Sequence, residues 1–378
     1  MRRAVRIALW ILLLLVTCAA FVVRMLYGGG DPYPDVTGEP LLGDNHLETV
    51  LAFPEPIGNV AVSADGRLFF TIHPESRPAG AKLYEFLEGR ARPYPDDSLQ
   101  AQLFETPLGL VVDRRQRLWV IDHGRHGFGR PRLLAIDLQT DSVVHDHRFA
   151  RVAAPRGSFL QDLQVSPDGR TVFIADLSFW RKDPAIVVHD VTTASDRRVL
   201  EDHASVSAQD WIITTPARRM VFFGGLAAMK PGIDGIAISA DGEWLAYGAM
   251  THDTLYRVPT AALMDPSLDA AGIASQVEAM GRKPLSDGLS ADLEGGVWIT
   301  DVEHGAVLRM APNGELETWI ESPHIRWADA LSFGPDGWLY LADSAIPHQV
   351  LRSKSHIASQ APYFIFRFRP GVTGTPGH

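Results

Sequence analysis

The chain has 378 residues, a formal net charge of −10, 46% hydrophobic residues, 33 glycines, 26 prolines and one cysteine. That is globular composition with enough apolar material for a large core, and it lacks the charge enrichment of a disordered chain. No basic stripe follows the N-terminus, which sets nucleic acid aside as a partner. Cys18 alone can form neither an internal disulfide nor a thiolate metal site.

Residues 1–27 form a leader. Arg2, Arg3 and Arg6 precede an apolar run from Ile7 to Val23, closed by Arg24. The run is at the short end of a spanning helix, about 17–25 residues, and its basic front end also suits a secretory signal. Thr17-Cys18-Ala19-Ala20 leads directly into Phe21-Val22-Val23 without a clean cleavage site. An uncleaved membrane anchor with a cytoplasmic N-terminus is therefore expected, with a cleaved signal peptide or lipidation at Cys18 as alternatives. The remainder is expected outside the cytoplasm, periplasmic or secreted, and tethered through this segment. Residues 28–45 read as a linker.

From residue 46 to 370 one phrase recurs six times: a polar residue, an apolar strand, a tight turn and a second apolar strand. The turns are Ala64-Asp65-Gly66, Arg114-Arg115-Gln116, Pro167-Asp168-Gly169, Ala240-Asp241-Gly242, Glu294-Gly295-Gly296 and Pro335-Asp336-Gly337. Asp-Gly pairs are hairpin turns, because glycine adopts positive φ without steric cost. Most repeats are about fifty residues apart, the length of one four-stranded propeller blade with its loops. The expected fold is an all-β, six-bladed β-propeller preceded by an N-terminal hydrophobic helix. A longer step between the third and fourth repeats predicts an insertion near 200–231, with an extra strand at Met220–Phe223. The spare strand at 47–53 is expected to pair with 363–368 and complete the last blade, covering a sheet edge. Residues 371–378 are expected to form a flexible tail.

In a propeller the first strand of each blade lines the central channel. The strand starts Asn59, Gly109, Asp162, Asp234, Asp287 and Asp329 should therefore meet at one mouth. The ends of the second strands return to the same face, bringing His73, Glu75, Asp122, His123, Asp176, His252, Asp301, Glu303, His304 and Asp343. Carboxylates about 6 Å apart repel by roughly 3 kcal/mol at an effective dielectric of about 20. A bound cation, raised pKa values or a cationic ligand would relieve that repulsion. Oxygen donors without thiol or imidazole favour Ca²⁺, with Asp162, Asp234 and Asp287 as its expected ligands. The competing structural reading has each aspartate capping a local turn.

Several phrases resemble the Yellow/major royal jelly protein family: Phe53-Pro54-Glu55-Pro56-Ile57-Gly58-Asn59, Leu118-Trp119-Val120-Ile121-Asp122-His123-Gly124, Gly232-Ile233-Asp234-Gly235-Ile236-Ala237 and Leu255-Tyr256-Arg257-Val258-Pro259. The resemblance implies a secreted propeller. Some family members are associated with dopachrome conversion, others bind biogenic amines in the channel, and others have no known catalysis. Ser286-Asp287-Gly288-Leu289-Ser290-Ala291-Asp292 is more distantly similar to the metal-bearing strand of gluconolactonase-type propellers. Asn59 stands where those enzymes use Glu, and Gly109 supplies no ligand.

The leading expectation is a channel site for a small cationic or aromatic molecule, with dopachrome-tautomerase-like isomerisation as its chemistry. Asp234 or Asp287 would take a proton, and His123 or His304 would return one. Asn59, Asp162, Asp329, His73 and Glu303 would line the binding site. The alternatives are a calcium-dependent lactone hydrolase and a non-catalytic interaction scaffold. The oligomeric state is not legible in the sequence.

Overall fold

The computed structural model describes residues 2–378 and is a closed six-bladed β-propeller. The first strands of the blades are Ile57–Val62, Pro107–Val112, Leu160–Val165, Ile233–Ile238, Leu289–Ala291 and Ala328–Phe333. They neighbour one another in that order and close the ring. Each blade is a four-stranded antiparallel sheet. The hairpins after the first strands form where the repeated turns predict. Gly169 takes φ +65, and Ser166 donates to Asp168 Oδ1 at 2.6 Å to pin the turn. The second blade has no glycine there. Gln116 instead takes φ +57, held because Asp113 accepts the Arg115 and Arg117 amides at 2.9 and 3.0 Å.

The ring closes through the early strand. Glu48–Phe53 pairs antiparallel with Tyr363–Phe368, in a register running from Glu48↔Arg367 to Phe53↔Tyr363. This joins the two ends of the propeller in one sheet and covers its edge. The core lies between blades, where Phe173, Ile186, Ile236, Leu245, Tyr247 and Val258 form one buried cluster between the third and fourth. Each large apolar side chain buried this way contributes about 1.5–3 kcal/mol. The insertion carries the expected extra strand, since Val221–Phe222 pairs with Ala227–Ala228.

Two segments differ from expectation. Residues 371–378 are not a free tail. Leu293 N–H donates to the Thr373 carbonyl at 2.8 Å, and Val112 N–H donates to the Gly377 carbonyl at 3.0 Å. The His378 carbonyl accepts from Phe333 N–H and from Ser290 Oγ, both at 2.9 Å, while its Nδ1 lies 2.7 Å from Gln164 Oε1. The tail therefore packs across the end of the channel opposite the mouth, where it pairs with backbone groups at the ends of the first strands. The 28–45 segment also lies on the body. Asp31–Pro32 pairs in parallel with Trp211–Ile212, and the buried Tyr33 donates from its hydroxyl to the Lys283 carbonyl at 2.7 Å.

The N-terminal helix, α1 (Arg2–Tyr27), has an apolar window of mean hydropathy 2.5 with no part buried against the body. Its last residue, Tyr27, donates to the Trp180 carbonyl at 2.7 Å, and Lys182 lies 4.8 Å from the Tyr27 ring centre. Trp180 follows the second strand of the third blade, so α1 leaves the body on the mouth side of the channel.

Candidate functional site: a carboxylate-lined channel mouth

The strand starts carry a shared irregularity. In each of the first four blades and the sixth, the first strand holds one more residue than its partner near the mouth. Such bulges turn side chains out of the regular pleat, and they recur beside functional sites. Aligned on the hairpin turns, the bulged pairs are Gly58-Asn59, Leu108-Gly109, Gln161-Asp162, Asp234-Gly235 and Asp329-Ala330. In the fifth blade Asp287-Gly288 occupies the same place just before its strand. The expected single ring is therefore two staggered positions. Asp234, Asp287 and Asp329 share the first with Gln161, whereas Asp162 and Asn59 occupy the second.

Glycine at this place permits close approach between blades. A Cβ on Gly235 would fall on the Asp287 carbonyl oxygen, and one on Gly288 would fall on the Asp329 carbonyl oxygen. A wider residue would push neighbouring strand starts apart.

Asn59, Gln161, Asp162, Asp234, Asp287 and Asp329 line one cavity at the mouth. Burial raises all four carboxyl pKa values: Asp162 to about 7, Asp287 to about 8, and Asp234 and Asp329 well above their ordinary range. Repulsion among the four adds to desolvation at Asp234 and Asp329. Asp162 accepts from the Leu163 and Ile236 amides at 2.9 and 3.2 Å, and Asp287 Oδ2 accepts from Trp327 Nε1 at 2.7 Å. Gln161 donates its amide to Asp234 Oδ1. Asp234 Oδ2 is buried without a hydrogen-bond partner, and Asp329 Oδ2 faces His73 Nε2 at 3.5 Å.

Sequence reasoning missed three participants. Gln161 and Trp327 pass as ordinary strand and loop residues until the fold turns them toward the carboxylates. Lys283 is fully buried, and desolvation lowers its pKa to about 7 against the pull of Asp253, Asp234 and Asp301. Its Nζ donates to Ser286 Oγ at 2.9 Å and to the Pro284 carbonyl at 3.0 Å. A buried lysine between two blades leaves no signal in spacing or motif.

The ends of the second strands divide by role. Asp122, Asp176, Asp301 and Asp343 clamp backbone amides: Thr106 and Gly124 for the first, Phe159 and Ser178 for the second, Glu303 and His304 for the third, and Arg326 and Trp327 for the fourth. These four cap the backbone around them. His73 lies 3.5 Å from Asp329 Oδ2 through Nε2, and its Nδ1 accepts the Glu75 amide at 3.2 Å. His123 is fully buried. Its Nδ1 accepts the His126 amide at 2.8 Å, so the ring hydrogen sits on Nε2, which has no partner. Burial holds its pKa well below the ordinary value.

His304 is engaged elsewhere. Its partners are Asp301 Oδ2 at 2.8 Å and Asp35 Oδ2 at 3.8 Å, and the bond to Asp301 raises its pKa to about 9. It sits on the outer rim against the 28–45 segment, not beside Asp234 or Asp287. Glu303 is buried, with a pKa raised to about 7, and it accepts the amide of Thr214 from the insertion. Over the fourth to sixth blades an apolar cover encloses the mouth, built from Tyr33, Ile213, Met220, Met250, Val302 and Trp327.

The expected calcium set does not contract onto one point. Oxygens on one Ca²⁺, each about 2.3–2.6 Å away, lie within about 5 Å of one another. Among the described residues, the one set of three His, Cys, Asp or Glu groups with ligand atoms within 4.8 Å of one another is His147, His189 and Asp196, away from the channel. Asp162, Asp234 and Asp287 are spread more widely and do not fit a single bare divalent ion as they stand.

Comparison with solved structures places the fold among known propellers. A luciferin-regenerating enzyme is similar at a TM-score of 0.57 and 10% identity, over 88% of this chain and 97% of that one. Regucalcin from Agrobacterium tumefaciens, described as a calcium-binding protein, gives 0.54 and 16% over 86% and 95%. A gluconolactonase from Xanthomonas campestris gives 0.53 and 16% over 85% and 88%. At these identities the likeness concerns the fold. No curated protein sequence matches significantly. The profile of the major royal jelly proteins matches residues 106–319, more than half of the chain, and with the propeller this makes the chain a member of the major royal jelly protein family.

Proposed function

We propose that this chain binds a small organic cation, an aromatic amine in the simplest case, at the carboxylate-lined mouth of its channel. The observation carrying this reading is the buried oxygen Asp234 Oδ2, which has no hydrogen-bond partner, within a set of four carboxyl groups. A buried carboxyl group without a partner is costly, and an ammonium group would supply both hydrogen bonds and charge. The spread of the ring suits a cation larger than a bare metal ion. Trp327 is the indole whose N–H holds Asp287, so aromatic surface adjoins the carboxylates.

The isomerase chemistry rests on the same groups. A carboxylate with a pKa near neutrality can take a ring proton, and a neighbouring protonated carboxyl can return one, with no net redox change. His123, neutral with its hydrogen on Nε2, serves as a hydrogen-bond donor to the bound molecule. His304 takes no part. The alternative, a calcium-dependent lactone hydrolase, draws on the all-oxygen donor set but requires the ring to contract.

We place the propeller outside the cytoplasm, held by α1 with the channel mouth turned toward the membrane. Support comes from the exit of α1 beside Trp180, on the face that also exposes Phe128, Val152 and Phe223.

The test is thermal unfolding of the detergent-solubilised full chain with phenethylamine, with calcium, and with chelator. A saturable amine-dependent rise, lost in Asp234→Asn, is expected, because a ligand that binds only the folded state raises its apparent stability. A calcium-dependent rise without an amine response would replace this reading by the lactonase. Neither response would leave the scaffold.

A further inference from the structure

The second and third blades meet at a cluster of imidazoles where apolar packing would be ordinary. His145 and His147 alternate along the outermost strand of the second blade, Ser142–Arg148, so both face the third blade. Opposite them, His189 and Asp196 form a cross-strand pair between Ala185–Asp190 and Ser195–Val199. His189 is fully buried. Its Nδ1 lies 2.8 Å from Asp196 Oδ1, and the other oxygen, Asp196 Oδ2, lies 2.9 Å from His147 Nε2. One ligand atom each from His147, His189 and Asp196 therefore lies within 4.8 Å of the others. The far nitrogen of His189, Nε2, stands 3.0 Å from His145 Nε2. Two ring nitrogens facing each other at that distance share one hydrogen. Phe149 and Trp119 pack edgewise or tilted against His147 and His145, at 4.9 and 5.3 Å between ring centres, and shield the inner side.

We infer that His147, His189 and Asp196 form a binding site for a late first-row divalent metal ion of the zinc type, joining the second blade to the third. Zinc bonds to imidazole nitrogen and carboxylate oxygen are about 2.0–2.2 Å long, so ligand atoms around one ion stand about 2.9–3.4 Å apart at angles between 90° and tetrahedral. The two nitrogen–oxygen separations, 2.8 Å to Asp196 Oδ1 and 2.9 Å to Asp196 Oδ2, stand at or just below the short end of that range, so the ligand atoms need only small shifts to receive an ion. Binding through His147 Nε2 and His189 Nδ1 takes each ring in its other neutral tautomer: the two hydrogens now directed at Asp196 leave to solvent, and His147 takes up one on Nδ1. His189 then carries the hydrogen of the His145–His189 pair on Nε2 and donates it to His145 Nε2, while His145 takes up a hydrogen on Nδ1. That outer hydrogen bond orients a ligating histidine and raises its basicity, as in other imidazole metal sites. Two nitrogens and one oxygen from protein leave a coordination position toward solvent, on the side where His147 is partly exposed. The mixed donor set selects zinc-like ions over Ca²⁺, which takes oxygen. The site is independent of the channel and of the function proposed for it.

The experiment uses the full chain in detergent, purified without a histidine tag and stripped with chelator. Zn²⁺ is titrated against thermal unfolding and bound-metal analysis, and Co²⁺ against its visible spectrum. One ion per chain, intense Co²⁺ bands of low-coordinate geometry and a rise of about 5 °C at saturation are expected. His147→Gln and Asp196→Asn should each abolish the bands. His145→Gln should weaken affinity about 10–100-fold without removing them. Asp234→Asn should leave zinc binding unchanged, which separates this site from the channel. Stoichiometric binding that survives His147→Gln would mean an adventitious ion only, and no binding by the wild type would mean a hydrogen-bonded network without metal. Either result overturns the assignment.

Discussion

Replacing Asp162 by Asn tests the protonation of the channel carboxyls directly. The Asp162 pKa lies at about 7 in the folded protein, raised by desolvation, against about 3.9 in an unfolded chain. Between those values the folded state holds a proton that the unfolded state has released. The corresponding stability is fully present below pH 4 and is lost as pH rises through 7. A shift of about three units corresponds to roughly 4 kcal/mol over the whole interval. Within it, one proton contributes about 1.4 kcal/mol per pH unit. For a domain of roughly 330 residues with an unfolding entropy near 2.1 cal/mol/K per residue, that slope is about 2 °C per pH unit.

The assay is the unfolding temperature of wild type and Asp162→Asn from pH 5 to 7 in chelator, read as the difference between the two. The difference matters because His73 and His123, whose pKa values burial lowers, tilt the wild-type curve the opposite way. Asn keeps one acceptor for the Leu163 or Ile236 amide and loses the other, a pH-independent cost of about 1–2 kcal/mol. That cost shifts the curve without changing its slope. Below pH 7 the protonated Asp162 places little charge on Asp234, Asp287 and Asp329, so the variant should be flatter by about the single-proton value. Parallel curves would mean that Asp162 is ionised in the folded state, and the account of a protonated ring would fail.

Gly235→Ala places a methyl group on the Asp287 carbonyl oxygen and should destabilise the fold by about 1–3 kcal/mol or more through overpacking. Chemical denaturation should show a lower midpoint with an unchanged slope. For membrane orientation, a fluorophore on Phe223→Cys in a Cys18→Ser background should be quenched by lipid-borne quenchers in bilayers holding the full chain, while one on Leu87→Cys should not. Leu87 lies on the outer part of the first blade and is exposed like Phe223. Equal quenching at both positions would refute the placement of the mouth.

The architecture was legible in the sequence because hairpin chemistry is local. Asp-Gly turns and alternating apolar residues report the first two strands of a blade without reference to anything distant. Closure through residues 48–53 followed from counting strands. The positions of Asp234, Asp287 and Asp329 at the mouth followed from the repeat itself. What each group does there depended on contacts between residues far apart in the chain. His123 and His304 look alike as strand-end histidines, yet one is sealed beside Phe159 and the other is paired with Asp301 on the rim. Asp122 and Asp234 both look like candidate ligands, yet the first is saturated by backbone amides and the second keeps a free oxygen. The cover over the mouth, the buried Lys283, the tail across the channel and the imidazoles between the second and third blades arise only when blades are packed side by side. Repeat spacing determines which residues arrive at the axis. Desolvation and pairing, which fix their charge and chemistry, are properties of the surroundings that packing alone creates.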